Sequence, residues 1–275
     1  MYRSVWNTFK ESVCSLNFYN SRNILFFRSS GFRYDNYIIS ALYKEEMDRA
    51  DYVIIGFSPN EPEGYNKSLR IPVNELCNRL PRDLEKGLPG LLALPVKPDE
   101  FKPVPSVKTN GSLPDAGIGT PVAMLSYSHK MNKLYMKTGL ISSHLTVRDE
   151  DFIFIEASFE QGNSGAPLIN AFTGEVIGVM VDCFSSPYNN HKKIKRIINE
   201  NIRMLNDAGG KWTLGNIDPV QVLIANQHMI NYLAKEIYLH AQRNYGFAVP
   251  LEKVSRYLIN LNHTSRVAVS DKAEI

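Results

Sequence analysis

Two periodicities organise this chain. Residues 151–158 (Asp-Phe-Ile-Phe-Ile-Glu-Ala-Ser) read as a strand, and residues 166–169 and 175–181, joined through Thr173 and Gly174, read as a strand pair closed by a turn. Farther on the period lengthens to that of a helix. Ile194, Ile197, Ile198, Ile202 and Leu205 recur at helical spacing over residues 191–205, with Lys192, Lys193, Lys195, Arg196 and Arg203 around them and Gly209-Gly210 as a stop. Asp218 and Pro219 then supply an N-cap and a first-turn proline. The helix they open is predicted to run to about Arg243 through Val222, Leu223, Met229, Ile230, Leu233, Ile237 and Ala241. Residues 95–105 are proline-rich and charged, which predicts a linker that continues as loop over 107–115.

The strand at 151–158 and the pair that follows bracket Gln161-Gly-Asn-Ser-Gly-Ala-Pro167. Gly162 and Gly165 permit backbone angles closed to other residues and leave the neighbouring amides unshielded. Such a loop can aim two N–H donors at one point, where developing negative charge is stabilised beside the Ser164 hydroxyl as attacking atom. The same residues are also ordinary turn chemistry, so the segment by itself fits a Gly-rich turn equally well.

With its flanking strands, this segment resembles the nucleophile loop of the trypsin-like serine proteases, and more narrowly of their HtrA-like branch. Further stretches carry the resemblance in chain order: Ser30-Gly-Phe32 with Asn36-Tyr-Ile-Ile-Ser-Ala41 as an early hairpin, residues 117–126 and 137–142 as the first strands of a second barrel, and Tyr245-Gly-Phe-Ala-Val-Pro250 with residues 251–258 as a closing strand and C-terminal helix. The resemblance implies a mostly β fold of two six-stranded antiparallel barrels with an inserted α-helical hairpin and a C-terminal helix. It implies a first barrel over 1–94, a linker over 95–115, a second barrel over 116–183 carrying Ser164, a helical insertion over 184–244, and a closing strand and helix over 245–275. It implies no cofactor and no metal.

Carried over position by position, the family's roles leave a gap. Ser164 matches the nucleophile, and the amides of Gly162 and Ser164 match the oxyanion hole. Tyr43 stands where the histidine belongs and Gly90 where the aspartate belongs. Tyrosine, with a reference pKa of ~10, is a poor base at neutral pH. None of the six histidines precedes His129. Three substitutes for the base are conceivable: a histidine of the second half, Lys44 as a desolvated amine, or a partner chain. The resemblance also makes Ser158 the floor of the main specificity pocket, small and uncharged, and Val181, Asp182 and Cys183 the strand beside a bound peptide. These are equally ordinary strand residues. The expectation is a pseudoprotease that binds peptide or protein through its cleft and helical insertion, with an active serine endopeptidase as the alternative.

Composition narrows the setting. The chain has 275 residues, 44% of them hydrophobic, enough for two small barrels and an insertion. Cys14, Cys77 and Cys183 are an odd number without motif spacing, which argues against a disulfide framework and for a cytoplasmic location. The residues after Met1 are interrupted by polar side chains too early for a signal peptide, and no stretch has the length of a membrane span. A formal net charge of +3 does not point to nucleic acid, and the basic residues around 191–205 are accounted for as a solvated helix face. The two helices are expected to pack on the second barrel and each other, or to dock a protein partner or a second copy.

Overall fold

The computed structural model describes residues 1–41, 44–57, 67–81, 83–84, 88, 90–97, 99–107, 116–129, 133–147, 149–181, 186–208, 218–240 and 243–270. They fall into two compact units, one of Met1–Asp182 with Arg243–Ile275 and one of Cys183–Gln242.

The first unit opens with helix α1 (Tyr2–Phe9) and a curled six-stranded antiparallel sheet. Its strands are β1 (Val13–Tyr19), β2 (Leu25–Tyr34), β3 (Tyr37–Ala41), β4 (Tyr52–Phe57), β5 (Lys67–Pro72) and β6 (Leu91–Pro95), ordered β5-β4-β1-β2-β3-β6. Short helices α2 (Lys44–Met47) and α3 (Val73–Arg79) lie between strands. The early hairpin is β2–β3, in which Tyr34 pairs with Tyr37 across a two-residue turn and Asp35 takes a φ of 47°. Leu16, Ile38, Val53, Ile55, Ile71 and Leu92 fill the inside of the curl.

Part of the predicted linker joins this core. Phe101 is buried edge-on against Phe57 at 4.8 Å, and Arg33 Nη1 donates to the carbonyls of Phe101 and Val104 at 2.5 and 2.6 Å. The proline and charge content of 95–105 concealed those two apolar anchors.

Strands β7 (Pro121–Tyr127), β8 (Leu134–Val147), β9 (Glu150–Phe159), β10 (Pro167–Asn170), β11 (Val176–Val181) and β12 (Arg243–Pro250) close into a barrel in the order β10-β11-β12-β9-β8-β7. Closure leaves no unpaired edge. Met124, Ile141, Ile155, Leu168, Ile177 and Met180 occupy its interior.

A third apolar cluster joins the two sheets, with Ile39, Leu91 and Ala93 from the first and Ala123, Leu125 and Val179 from the second. Helix α6 (the last, Leu251–Ser270) adds Leu251, Val254 and Leu258 to it and reaches back to the first sheet, where the Ser255 and Tyr34 hydroxyls lie 2.7 Å apart. This helix extends well past residue 258, where the sequence turns polar.

The second unit holds α4 (Ser186–Ala208) and α5 (Pro219–His240), packed against each other. Asp218 caps α5 as predicted, its Oδ1 accepting the Val220 amide at 2.9 Å. Helix α5 stops before Arg243 because that residue opens β12 and pairs with Phe159. On the described faces Ile198 and Val220 are buried, whereas Ile197, Met204, Met229, Leu233 and Ile237 are exposed.

Candidate active site

The loop between β9 and β10 is built from backbone first. Asn163 and Ala166 amides close tight turns onto Glu160 O and Asn163 O, both at 3.1 Å. Gly165 N donates to Met180 O at 2.7 Å, and Met180 N returns a bond to Ala166 O at 2.8 Å, fixing the loop to β11. The amides of Asn163, Gly165 and Ala166 are thereby occupied. The Gly162 amide has no hydrogen-bond partner among the described residues, and its φ of 103° is one that glycine adopts freely. A backbone N–H with no described partner, two residues before Ser164, is a donor of the kind that oxyanion stabilisation uses. Ser164 itself is 5% exposed.

The first sheet supplies the second support. Ser30, on β2, donates its hydroxyl to Gly162 O at 2.6 Å, accepts the Tyr127 amide at 2.8 Å, and donates its own amide to Ser164 O at 2.8 Å. One buried serine thus ties the loop to β7 and to the opposite sheet. Ser40 Oγ, on β3, in turn donates to Ser30 O at 2.6 Å.

The third support is a side-chain network around Asn163, which is fully buried. Its Oδ1 accepts the Glu160 amide at 2.9 Å and Lys137 Nζ at 3.2 Å, while its Nδ2 donates to Ser126 Oγ at 2.9 Å and to the Tyr135 hydroxyl. Both donors and both acceptor positions of the amide are used. Lys137 and Tyr135 also meet Glu160 Oε1, each at 2.9 Å. Burial holds the Tyr135 phenol above its ordinary range, so it remains a donor. Asn163→Ala strips buried partners from this network and is expected to lower stability by about 2–3 kcal/mol, read as a lowered urea midpoint at unchanged slope.

Among the residues singled out from the sequence, Ser164 and Gly162 share one loop, while Gly90, Ser158 and Val181 belong to other elements. Gly90 precedes β6 with a φ of 76°, exposed, and a Cβ built on it has no described atom within 4 Å. Ser158 is exposed on β9, and Val181 is half-buried at the end of β11, paired with Phe247. Tyr43, Asp182 and Cys183 lie outside the described residues.

His129 reaches the loop, and Arg28 holds the residue before it. His129, just beyond β7, donates its amide to Gln161 O at 3.0 Å, and its Nδ1 is buried without a hydrogen-bond partner among the described residues. Burial, reinforced by the Arg28 guanidinium, holds its imidazole below the usual pKa. Arg28 is 5% exposed, with Nε on Asn17 Oδ1 at 2.5 Å and Nη1 on Ser128 O at 2.9 Å. The pairing of residue 129 with residue 161 is made by the fold, so no local motif announces it.

The double-sheet architecture and this loop define a trypsin-like serine-protease fold. A trypsin-like peptidase domain matches residues 80–179. The likeness is more narrowly to HtrA-type proteases. A serine-to-alanine form of the HtrA-type protease AlgW with tripeptide superposes with a TM-score of 0.55 at 15% identity, over 95% of this chain and 63% of that one. AlgW with tripeptide gives 0.49 at 18% identity, over 68% and 56%. The serine endoprotease from Yersinia pestis gives 0.49 at 22% identity, over 67% and 58%. The chain therefore spans less than two thirds of each of these structures. No curated protein matches it in sequence.

Proposed function

We propose that this chain is a catalytically degenerate protease-fold module that binds an extended peptide or protein segment at the Ser164 loop. The observation that carries the reading is Gly90. Where the family resemblance puts the orienting carboxylate, the chain has a glycine with a left-handed φ and no described atom within 4 Å of where a side chain would begin. The base position falls on Tyr43, and every histidine lies at or after His129. In subtilisin, loss of the histidine alone lowers kcat by about 10⁶. Binding requires no proton transfer. A strand beside the loop can hold an extended peptide by backbone hydrogen bonds, and we assign that part to Val181, Asp182 and Cys183, with Ser158 at the pocket floor. The similar AlgW structures are described with a tripeptide.

The exposed apolar residues of α4 and α5 support a second contact, with a protein partner or another copy of the chain. Cys14 and Cys77 are free thiols, which supports a reducing, cytoplasmic setting, and no described helix is long and apolar enough to cross a membrane.

The unspent Gly162 amide favours one other reading, an active serine endopeptidase whose base is atypical or supplied by a partner. Incubation with a mixture of unstructured peptides followed by mass spectrometry separates the two. The degenerate module returns every peptide intact at the level of its Ser164→Ala variant. New termini produced by the wild type and absent from the variant would establish the endopeptidase.

A further inference from the structure

We infer that the α4–α5 hairpin is a self-association surface on which a second copy of the chain lays its own hairpin, forming a four-helix bundle about a two-fold axis. The inference rests on the reading above that these helices make a protein contact, and it names the occupant.

Helix α5 has its sides reversed. Its covered stripe runs Val220, Ile224, Gln227, Asn231, Ala234, all buried or half-buried. Its exposed stripe runs Leu223, Asn226, Ile230, Leu233, Ile237, and all but the asparagine are apolar. The more apolar side thus faces outward, the opposite of a helix that is satisfied by packing on its own fold. Lys235 and Glu236 are the only acidic or basic residues other than histidine from Pro219 to His240, and neither falls in the exposed stripe.

Steps of three and four residues alternate along that stripe, the a/d repeat of a seam that one helix presents to another. Helix α4 carries the same device. Ile194, Ile197, Asn201 and Met204 follow the same steps and are exposed, beside the covered Ile198, Ile202 and Leu205. Each seam holds a single asparagine among apolar residues.

The two seams belong to one face. Each helix has the other as its main packing neighbour. On both, a seam residue stands immediately before a covered one: Ile197 before Ile198 and Met204 before Leu205, Leu223 before Ile224 and Leu233 before Ala234. One residue is about 100° of helix rotation. In an antiparallel pair, the arrangement of consecutive helices in a hairpin, equal offsets turn both seams to the same side. The apolar side chains of the seams are 43–70% exposed. With Val222 and Met229 at the margin, the face offers on the order of 800 Å², the share that each partner buries in a stable interface.

Two seams side by side are complemented by another pair of helices with the same repeat, and every copy of the chain supplies one. A two-fold contact of this kind is self-complementary. The asparagines favour the same occupant. Against a wholly apolar surface, Asn201 and Asn226 would lose their hydrogen bonds to water without replacement. A primary amide both donates and accepts, so asparagines brought together by a two-fold axis can satisfy one another, and a lone asparagine in an apolar seam fixes register and helix number.

Sedimentation velocity on the full chain, from nanomolar to tens of micromolar, tests this. The wild type is expected to reach twice the chain mass. Leu233→Glu on α5 and Ile197→Glu on α4 should each raise the dimer dissociation constant about 100-fold or more. Both positions are about half exposed, and circular dichroism confirms that each variant is folded. Tyr232→Glu, at an exposed aromatic outside the seam, should leave the dimer unchanged. A wild type that stays monomeric at every concentration overturns the inference. A dimer that survives both seam variants, or that Tyr232→Glu weakens equally, overturns the assignment to this face. Sedimentation of the labelled monomer in cell extract then separates the two readings: a heavier complex lost in Leu233→Glu leaves a contact with another protein standing, and an unchanged monomer removes the contact as well.

Discussion

Gly165→Ala is expected to leave the protein largely unable to fold, with the loss exceeding about 4 kcal/mol, an effect rare for one methyl group. A Cβ at this position would sit 2.0 Å from Ser30 O, 2.6 Å from Ala41 N and 2.6 Å from Ser40 Oγ. Two of those atoms belong to the backbone of β2 and β3, which cannot rotate aside as a long side chain can. The φ of 85° adds the left-handed penalty of about 1–2 kcal/mol for a residue with a side chain. Total stabilities of folded domains are about 5–15 kcal/mol, so one such clash consumes much of the margin.

The strain also falls on the seam where Ser30 ties the Ser164 loop to the first sheet, so any folded remnant should have a displaced loop. Gly174→Ala is the matched control. Its φ of 71° imposes similar backbone strain, but no described atom lies within 4 Å of the added Cβ. The control should cost only about 1–2 kcal/mol. Thermal melts of both variants distinguish close packing from backbone preference. Similar, small shifts in both would show that the loop is not held against β2 and β3.

The second barrel was the more readable half of this chain. Its strands at 151–158, 166–169 and 175–181 coincide with β9, β10 and β11 to within one or two residues, because each is apolar enough to stand out between turn residues. Strands β1 and β5 carried no such mark. Ser15 and Asn17 on β1 are polar yet buried, with Asn17 engaged by Arg28, so alternation along β1 does not report exposure. Helix α5 was visible from its cap and its apolar residues, but its end was not, since only pairing with Phe159 draws Arg243 into β12.

The site divides in the same way. Ser164 and Gly162 are contiguous in sequence and were legible as a loop. The groups that hold that loop come from β2, β7 and β8, where Ser30, Ser126 and Lys137 are individually unremarkable polar residues. They acquire a role only when Ser30 lies against Gly162 and when Asn163 meets β7 and β8 at once. Gly90 was named from alignment of motifs alone, and the structure adds its left-handed φ of 76° ahead of β6.

The central claim is that an intact oxyanion loop stands without a base, and its most direct test is reactivity of Ser164 toward a fluorophosphonate probe. The reaction requires the serine oxygen to attack phosphorus while a base removes its proton, and the oxyanion donors stabilise the charge that develops. Donors alone leave a residual acceleration of about 10³–10⁴ over water, far short of a working triad. Intact-mass measurement after prolonged incubation, alone and with cell extract to supply any partner, reads the outcome. The account predicts no adduct above that of Ser164→Ala. A stoichiometric adduct on Ser164 that disappears in the variant would contradict it and identify the chain as a working serine hydrolase.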